Sequence, residues 1–218
     1  MKKLHKLAIF DFCGTVVLPQ TGDLFVSYVL NKEKKYLEFL TSLILRNKIY
    51  QFIKRKIFRY KTNDKFRILQ LIQGIEKQKI DEYSILFAYF LEKYKIESVS
   101  KYLDKFLDDK QYDVYIISAG YSCYIEEMFT SSVKIIANDF CYVDGRFTGN
   151  IDSKDCIENE KVNKLSNYIS IDSIDFDSTH VFSDSLSDLP IFRLGKHNHY
   201  VIGKNIKNLN QNNLEKAN

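Results

Sequence analysis

The chain is 218 residues long, 45% hydrophobic and 28% charged, with a formal net charge of +4. That length suits one sizeable core, or a core with a subdomain, and the composition excludes an intrinsically disordered chain. The charge is too mild to argue for nucleic-acid binding by itself, and no window approaches the roughly 20 apolar residues of a membrane span.

In chain order, the first element is "KLAIFDF", a short apolar run ending in an acid, as in a buried parallel strand. The basic opening "MKKLHKLAIF" leads into an apolar patch of only about four residues before Asp11, too short for a secretory signal. Between residues 20 and 110 there is almost no breaker besides Gly22 and Gly74, and the spacing predicts roughly three to five helices. Leu37, Leu40, Leu43, Ile44 and Leu45 carry one helical pattern, and Ile49, Phe52, Ile53 and Ile57 continue it. Tyr83, Leu86, Phe87, Phe90 and Leu91 carry another.

After residue 110 the texture alternates. "DVYIISAG" predicts a strand running into a small-residue turn, "YSCYIEEMFT" a helix, and "VKIIAND" a strand. "FCYVDGRFTGNI" places Asp-Gly between β-formers and predicts a hairpin. "EKVNKLSNYIS" reads as a helix, "STHVFSDS" as a strand ending in acid, "HYVIG" as the last strand, and the polar tail "KNIKNLNQNNLEKAN" as fraying. Strands alternating with helices imply a parallel sheet with right-handed crossovers. The expected fold class is therefore α/β: a Rossmann-like parallel core with helices on both faces. An all-helical cap over 20–94 would interrupt a core made of 1–19 and 95–218.

Cys13, Cys123, Cys141 and Cys156 form no CxxC pair and have no histidine at zinc spacing, so reduced thiols and a cytoplasmic location are expected. His5, His180, His197 and His199 fit no ligand pattern and are read as structural.

Reactive groups stand at four element ends: Asp11, Ser118 in "IISAG", Lys161 in "ENEKV", and Asp184 with Asp188 in "VFSDSLSDLP". Each alone has a bland reading, as a helix cap, a turn serine, a surface lysine or a solvated helix face, and Lys164 lies close to Lys161. Together they supply what phosphoryl transfer to a carboxylate needs. A carboxylate and a phosphate repel by about 1 kcal/mol in water and about 4 at an effective dielectric of 20. A hard cation held by carboxylates, Mg²⁺ being the usual one, removes that penalty, while a lysine and a hydroxyl complete the phosphate's partners.

Order and spacing resemble the haloacid dehalogenase superfamily, in the branch resembling phosphoserine phosphatase. "DFCGTVV" matches the first motif (Asp-x-Asp-Gly-Thr), "IISAG" the second, Lys161 the third and "SDSLSDLP" the fourth. "DGRFTGNI" resembles the hairpin that this branch carries before its lysine. The resemblance implies Asp11 as the nucleophile that forms an aspartyl-phosphate. It implies Mg²⁺ on Asp11, Asp184, the backbone carbonyl of Cys13 and, directly or through water, Asp188. It also implies a phosphate site at Gly14, Ser118, Ala119, Gly120 and Lys161. The catalytic set is then Asp11, Cys13, Ser118 and Lys161.

Cys13 departs from the family pattern. The second aspartate of the first motif protonates the leaving alcohol and then activates water, whereas a thiol titrates near 8.5 rather than about 3.9. It can donate a proton at neutral pH but hardly accept one, which costs part of the roughly 10²–10⁴-fold that acid–base catalysis supplies. Three readings stay open: a phosphatase for good leaving groups or with another proton source, a phosphotransferase with a long-lived intermediate, and a phosphate-binding regulator. The phosphohydrolase is favoured.

Residues 46–67, "RNKIYQFIKRKIFRYKTNDKFR", carry nine Lys/Arg and a single acid, Asp64. They read as a solvated cap face, as a focus for anionic substrate, or as a basic amphipathic contact with an anionic membrane surface. Nucleic acid is not expected as a partner. The expected partner is a small phosphorylated metabolite, lipid- or sugar-linked esters included.

Overall fold

The computed structural model describes residues 4–47 and 64–209. Its elements run β1 (Lys6–Phe10), α1 (Thr21–Lys32), α2 (Tyr36–Arg46), α3 (Asp64–Gln70), α4 (Lys77–Glu92), α5 (Glu97–Asp108), β2 (Tyr112–Tyr121), α6 (Ser122–Ile125), β3 (Val133–Asn138), β4 (Phe140–Val143), β5 (Arg146–Ile151), α7 (Asn159–Ser166), β6 (His180–Ser183), α8 (Leu189–Phe192), β7 (His197–Ile202) and β8 (Asn205–Leu209).

Six strands form one sheet in the order β3-β2-β1-β6-β7-β8, parallel except for the final β7/β8 pair. Alternation along each strand explains why both faces are covered. In β1, Ala8 and Phe10 face one apolar cluster with α1, α4 and α5, while Leu7 and Ile9 face a second with Leu165 and Phe192. β2 repeats this with Val114 and Ile116 against Tyr115 and Ile117. A sheet buried on both faces has no room for polar residues until the strands end, so the acids appear at the carboxyl edge. The expected parallel α/β sheet with helices on both faces is what is observed.

The hairpin forms where it was expected. β4 and β5 pair antiparallel around Asp144 and Gly145, both at positive φ (48° and 73°), as an Asp-Gly turn of the tight hairpin type requires. Its outer end meets the helical insertion: Arg146 donates to the Gly74 carbonyl (2.9 Å) and pairs with Glu76 (2.7 Å). The larger apolar cluster runs unbroken from α1 and α4 into the sheet, through Phe25, Phe87, Tyr121 and Tyr124.

Two expectations need correction. The polar tail does not fray from its start, because Asn205–Leu209 adds β8 antiparallel to β7; "HYVIG" is therefore not the last strand. The expected helix around Leu37 to Leu45 forms as α2, with Leu37, Leu40, Leu43 and Ile44 exposed and Leu45 buried. The helix "YSCYIEEMFT" is reduced to one turn plus a 3₁₀ turn over Glu126–Met128. Most of the basic run, 48–63, and the second helical pattern, Ile49 to Ile57, lie outside the described residues. At its described ends Arg46 donates to Ser27 Oγ (2.6 Å) and Lys65 to the Ala119 carbonyl (2.8 Å), while Asn47 and Arg67 are exposed. Among the described residues no helix is long and apolar enough to cross a membrane.

Candidate active site

The carboxyl ends of β1, β2 and β6 and the first turn of α7 open on a cleft of about 560 Å³. Asp11, Cys13, Ser118, Ala119, Gly120, Lys161, Asp184 and Asp188 line it. Residues separated by more than 170 positions thus meet at the edge where open α/β sheets bind ligands. Gly14 is not among the lining residues.

Asp11 extends β1 by one residue, its N–H donating to the Phe182 carbonyl (2.8 Å), which fixes the carboxylate at the strand end. The chain then turns: the N–H groups of Thr15, Val16 and Val17 all reach the Phe12 carbonyl, and Gly14 N–H donates to Val17 O (2.7 Å). Gly14 sits at φ 72°, and a β-carbon there would fall on the Asp184 carboxylate. Glycine is required both by the left-handed backbone and by the close approach of Asp184.

Lys161 is buried and its Nζ donates to Asp11 Oδ1 and Asp188 Oδ2, each at 2.7 Å. Asp188 also accepts from Ser183 Oγ (2.7 Å). Burial pushes the Asp11 carboxyl up to about 6; Lys161 opposes that, and the Asp188 and Asp184 charges add to it. Burial likewise raises Asp184, with Asp188 adding to it. Lys161 is held above the usual lysine range by the two carboxylates, which overcome its own desolvation. Lys164 points elsewhere, to the Ala137 carbonyl (3.1 Å) at the end of β3.

Ser118 is buried at the end of β2, and its Oγ accepts from Gly120 N–H (2.9 Å), which leaves the hydroxyl hydrogen to donate. The Ala119 carbonyl accepts from Asn138 Nδ2 (2.9 Å) and Lys65 Nζ (2.8 Å). Cys13 Sγ contacts Thr21 Oγ1 at 3.0 Å, and burial beside Asp11 pushes its thiol up to about 11.

Several cleft residues were not picked out from sequence. Thr15 donates to Asp11 Oδ2 (3.3 Å) and accepts from Asp184 N–H (3.0 Å), so it ties the two acidic motifs together. It stands inside the quoted first motif, a signal that was there to use. Ser183, which holds Asp188, stands inside the fourth in the same way. Asp23 and Lys65 come from the helical insertion and also line the cleft; nothing in the sequence marks Asp23, and Lys65 is marked only as part of the basic run 46–67.

The lining includes five acids (Asp11, Asp23, Glu158, Asp184, Asp188) and two lysines (Lys65, Lys161). Such a cleft repels a phosphate dianion unless a cation enters with it. Among the described residues no three His, Cys, Asp or Glu side chains form a ready ligand cluster. An oxygen-only set of one or two carboxylates with water and phosphate is nevertheless what Mg²⁺ ordinarily takes, so the donors present fit that ion.

A mostly parallel sheet of this topology, with an acid at the end of its first strand and a buried lysine across from it, is an α/β core with its reactive groups gathered at one edge. The model of the haloacid dehalogenase-like hydrolases matches residues 8–193, and the chain belongs to that family. No curated protein sequence matches it. Among solved structures it is similar to a protein of unknown function from Bordetella pertussis Tohama I, with a TM-score of 0.70 at 16% identity over 90% of this chain and 89% of that one. It is also similar to the phospho-aspartyl intermediate analogue of a phosphoserine phosphatase (TM-score 0.57, 20% identity, 90% and 86% covered). A third is a phosphoserine phosphohydrolase-like protein from Francisella tularensis subsp. tularensis SCHU S4 (TM-score 0.57, 18% identity, 88% and 85% covered). At these identities the likeness is one of fold.

Proposed function

We propose that the chain is a Mg²⁺-dependent phosphohydrolase of small phosphate monoesters that works through an aspartyl-phosphate on Asp11. The observation that carries this reading is the buried Lys161 ammonium held between Asp11 and Asp188 on the floor of the cleft. In a protein with no task for it, burying such a triad is costly and poorly repaid; at a phosphate site it is preorganised charge.

The ion, when bound, would be held by Asp11, Asp184 and the Cys13 carbonyl, with Asp188 behind, and would supply charge neutralisation for the incoming dianion. Lys161 and the Ser118 hydroxyl would orient the phosphoryl oxygens, with backbone N–H groups near Gly14 and Gly120. An Asp11 oxygen attacks phosphorus, the bond to the leaving oxygen breaks, and that oxygen takes a proton from the Cys13 thiol or from solvent. Water then attacks the aspartyl-phosphate and releases inorganic phosphate. From the proposed 20–94 cap, Gln20, Gly22, Asp23 and Lys65 line the cleft, and its size suits a small ester.

A second reading, phosphotransfer or a slow phosphate-binding regulator of the same fold, is favoured by one observation: the Cys13 thiol is neutral and cannot begin as a base. Turnover of a panel of phosphate esters with Mg²⁺, read beside trapped phosphoenzyme, separates the two. Asp11→Asn abolishes both readouts if Asp11 is the nucleophile, and wild-type activity in that variant would end the proposal.

A further inference from the structure

We propose that Thr21 and Tyr124 are positioning residues that turn the Cys13 thiol hydrogen into the cleft, so that a leaving oxygen meets a donor where the first motif lacks its second carboxylate. The function assigned to that donor rests on the phosphohydrolase reading; its orientation rests on the hydrogen bonds alone.

The direction of the chain of hydroxyls is set at its far end by an amide. Tyr121 N–H donates to the Tyr124 hydroxyl oxygen at 3.2 Å, and an amide can only donate. Tyr124 is fully buried, and its own O–H has one partner among the described residues, Thr21 Oγ1 at 2.7 Å. Thr21, having accepted there, gives its hydroxyl hydrogen to Cys13 Sγ at 3.0 Å. The Thr21 backbone N–H points at the same sulfur, at 3.5 Å. The sulfur therefore accepts twice, and its own hydrogen is left for the cleft that Cys13 lines.

The reverse order is worse. If Cys13 donated to Thr21 and Thr21 to Tyr124, the Tyr124 hydroxyl hydrogen would be buried without an acceptor among the described residues, which is the expensive way to leave a polar group. Reversal would also turn the thiol hydrogen away from the substrate. Tyr124 has little freedom to swing out of the chain. Its ring packs against Phe25 (5.0 Å between centroids) and edge-on to Phe87 (5.1 Å). A β-carbon at Gly120 would come within 2.8 Å of its hydroxyl, so the glycine of the "SAG" turn also leaves room for this tyrosine.

Difference infrared spectra against Cys13→Ala isolate the S–H stretch of Cys13 from the other thiols. Thr21→Val keeps the shape and removes the hydroxyl, and Tyr124→Phe cuts the chain one link earlier. Both are expected to shift the band, while Thr21→Ser keeps it in place. The ratio of alkyl- to aryl-phosphate turnover should fall about tenfold in Thr21→Val and recover in Thr21→Ser, because only the poor leaving group needs the donor. An unmoved band in Thr21→Val, or a shifted band with an unchanged ratio, overturns the proposal. A shifted band in a protein that neither turns over nor traps phosphate supports the positioning and overturns the enzymatic reading instead. If Thr21→Val does not fold by circular dichroism, Tyr124→Phe carries the same test.

Discussion

Lys161 Nζ lies 2.7 Å from Asp11 Oδ1, the two residues 150 positions apart in sequence and both buried. The contact brings the first and third motifs together, and it is also where electrostatic stability is most exposed to mutation. Removing one partner of a buried pair costs about 3–5 kcal/mol, because the remaining charge has no compensation. Lys161→Met would strand Asp11 and Asp188 together. Stranded carboxylates have raised folded-state pKa values, so their protonated forms favour the fold, and stability falls as pH rises from about 4 through those values. The melting-temperature gap between wild type and Lys161→Met, measured without divalent ions, is therefore expected to be widest at pH 7.5 and to narrow at pH 5. A gap that widened on acidification would contradict the arrangement.

Cys13→Asp restores a group that can accept as well as donate a proton. A carboxyl titrates closer to neutrality than a thiol pushed up to about 11, so it is better matched to giving and taking a proton in turn. Alkyl-phosphate turnover in Cys13→Asp should rise about tenfold or more, and trapped phosphoenzyme should fall in parallel because its breakdown is faster. Unchanged turnover with unchanged trapping would show that proton management does not limit this enzyme.

Gly14 and Gly74 form a matched pair for a backbone test. Both have positive φ, 72° and 82°, but a β-carbon at Gly74 meets nothing within 4 Å while one at Gly14 strikes Asp184. Gly74→Ala should cost only the strain of the left-handed region, about 1 kcal/mol, with activity retained. Gly14→Ala pays the same strain and also displaces a proposed metal ligand, so Mg²⁺-dependent activity should fall by about 10² or more. Equal effects on activity would mean that the approach of Asp184 to the first motif has no function.

Asp11, Lys161, Asp184 and Asp188 were legible because each stands where an apolar strand ends or a helix begins, and the order of such ends survives in sequence. The hairpin was legible because Asp144-Gly145 can adopt positive φ. What was not legible depends on contacts made across the fold. Thr15 and Ser183 act by bridging or holding residues that other motifs supply. Tyr124 is one aromatic among 15 tyrosines and 16 phenylalanines until the fold seats it beside Thr21. The apolar spacing of α2 marked it as a helix, but periodicity does not say which face is covered, and Leu37, Leu40, Leu43 and Ile44 stand exposed. The polar residues of β8 hid a strand because an edge strand can be stabilised by main-chain pairing with β7 rather than by burial.

Histidines read as structural from sequence prove to be stacked. His199 donates from Nδ1 to Asn208 Oδ1 (2.9 Å), which leaves its Nε2 to accept from His180 Nδ1 (3.1 Å). His199 also stacks on Phe182 with ring centroids 4.2 Å apart. The accepting His199 ring must therefore be neutral, and burial pushes both His180 and His199 down to about 4 from 6.5. A depressed folded-state pKa contributes stability that is complete above the unfolded value and lost as pH falls through the folded one. Unfolding free energy should thus drop between pH 6.5 and 4, by about 1–3 kcal/mol after allowing for the partial exposure of His180. Denaturant titrations should show a shallower acid limb in His180→Asn/His199→Gln than in wild type.

Lys65 links the helical insertion to the Ser118–Gly120 turn. It stands on α3, and its Nζ donates to the Ala119 carbonyl (2.8 Å) and to Asp155 Oδ1 (2.5 Å). Asn138 Nδ2 donates to the same two oxygens, at 2.9 and 2.7 Å. The turn is thus held twice, by the core through Asn138 and by the insertion through Lys65. Lys65→Met removes only the second hold, so the Ser118–Gly120 backbone should keep its conformation while α3 loses its tie to the core. The expected result is a KM several-fold higher with a smaller change in kcat, and faster hydrogen exchange in α3 rather than in β2. Asp155→Asn keeps an acceptor but removes the charge, and should fall between the two proteins in both measurements. A fall in kcat with KM unchanged would instead assign Lys65 to the chemical step, because binding that is uniform in ground and transition states moves KM alone.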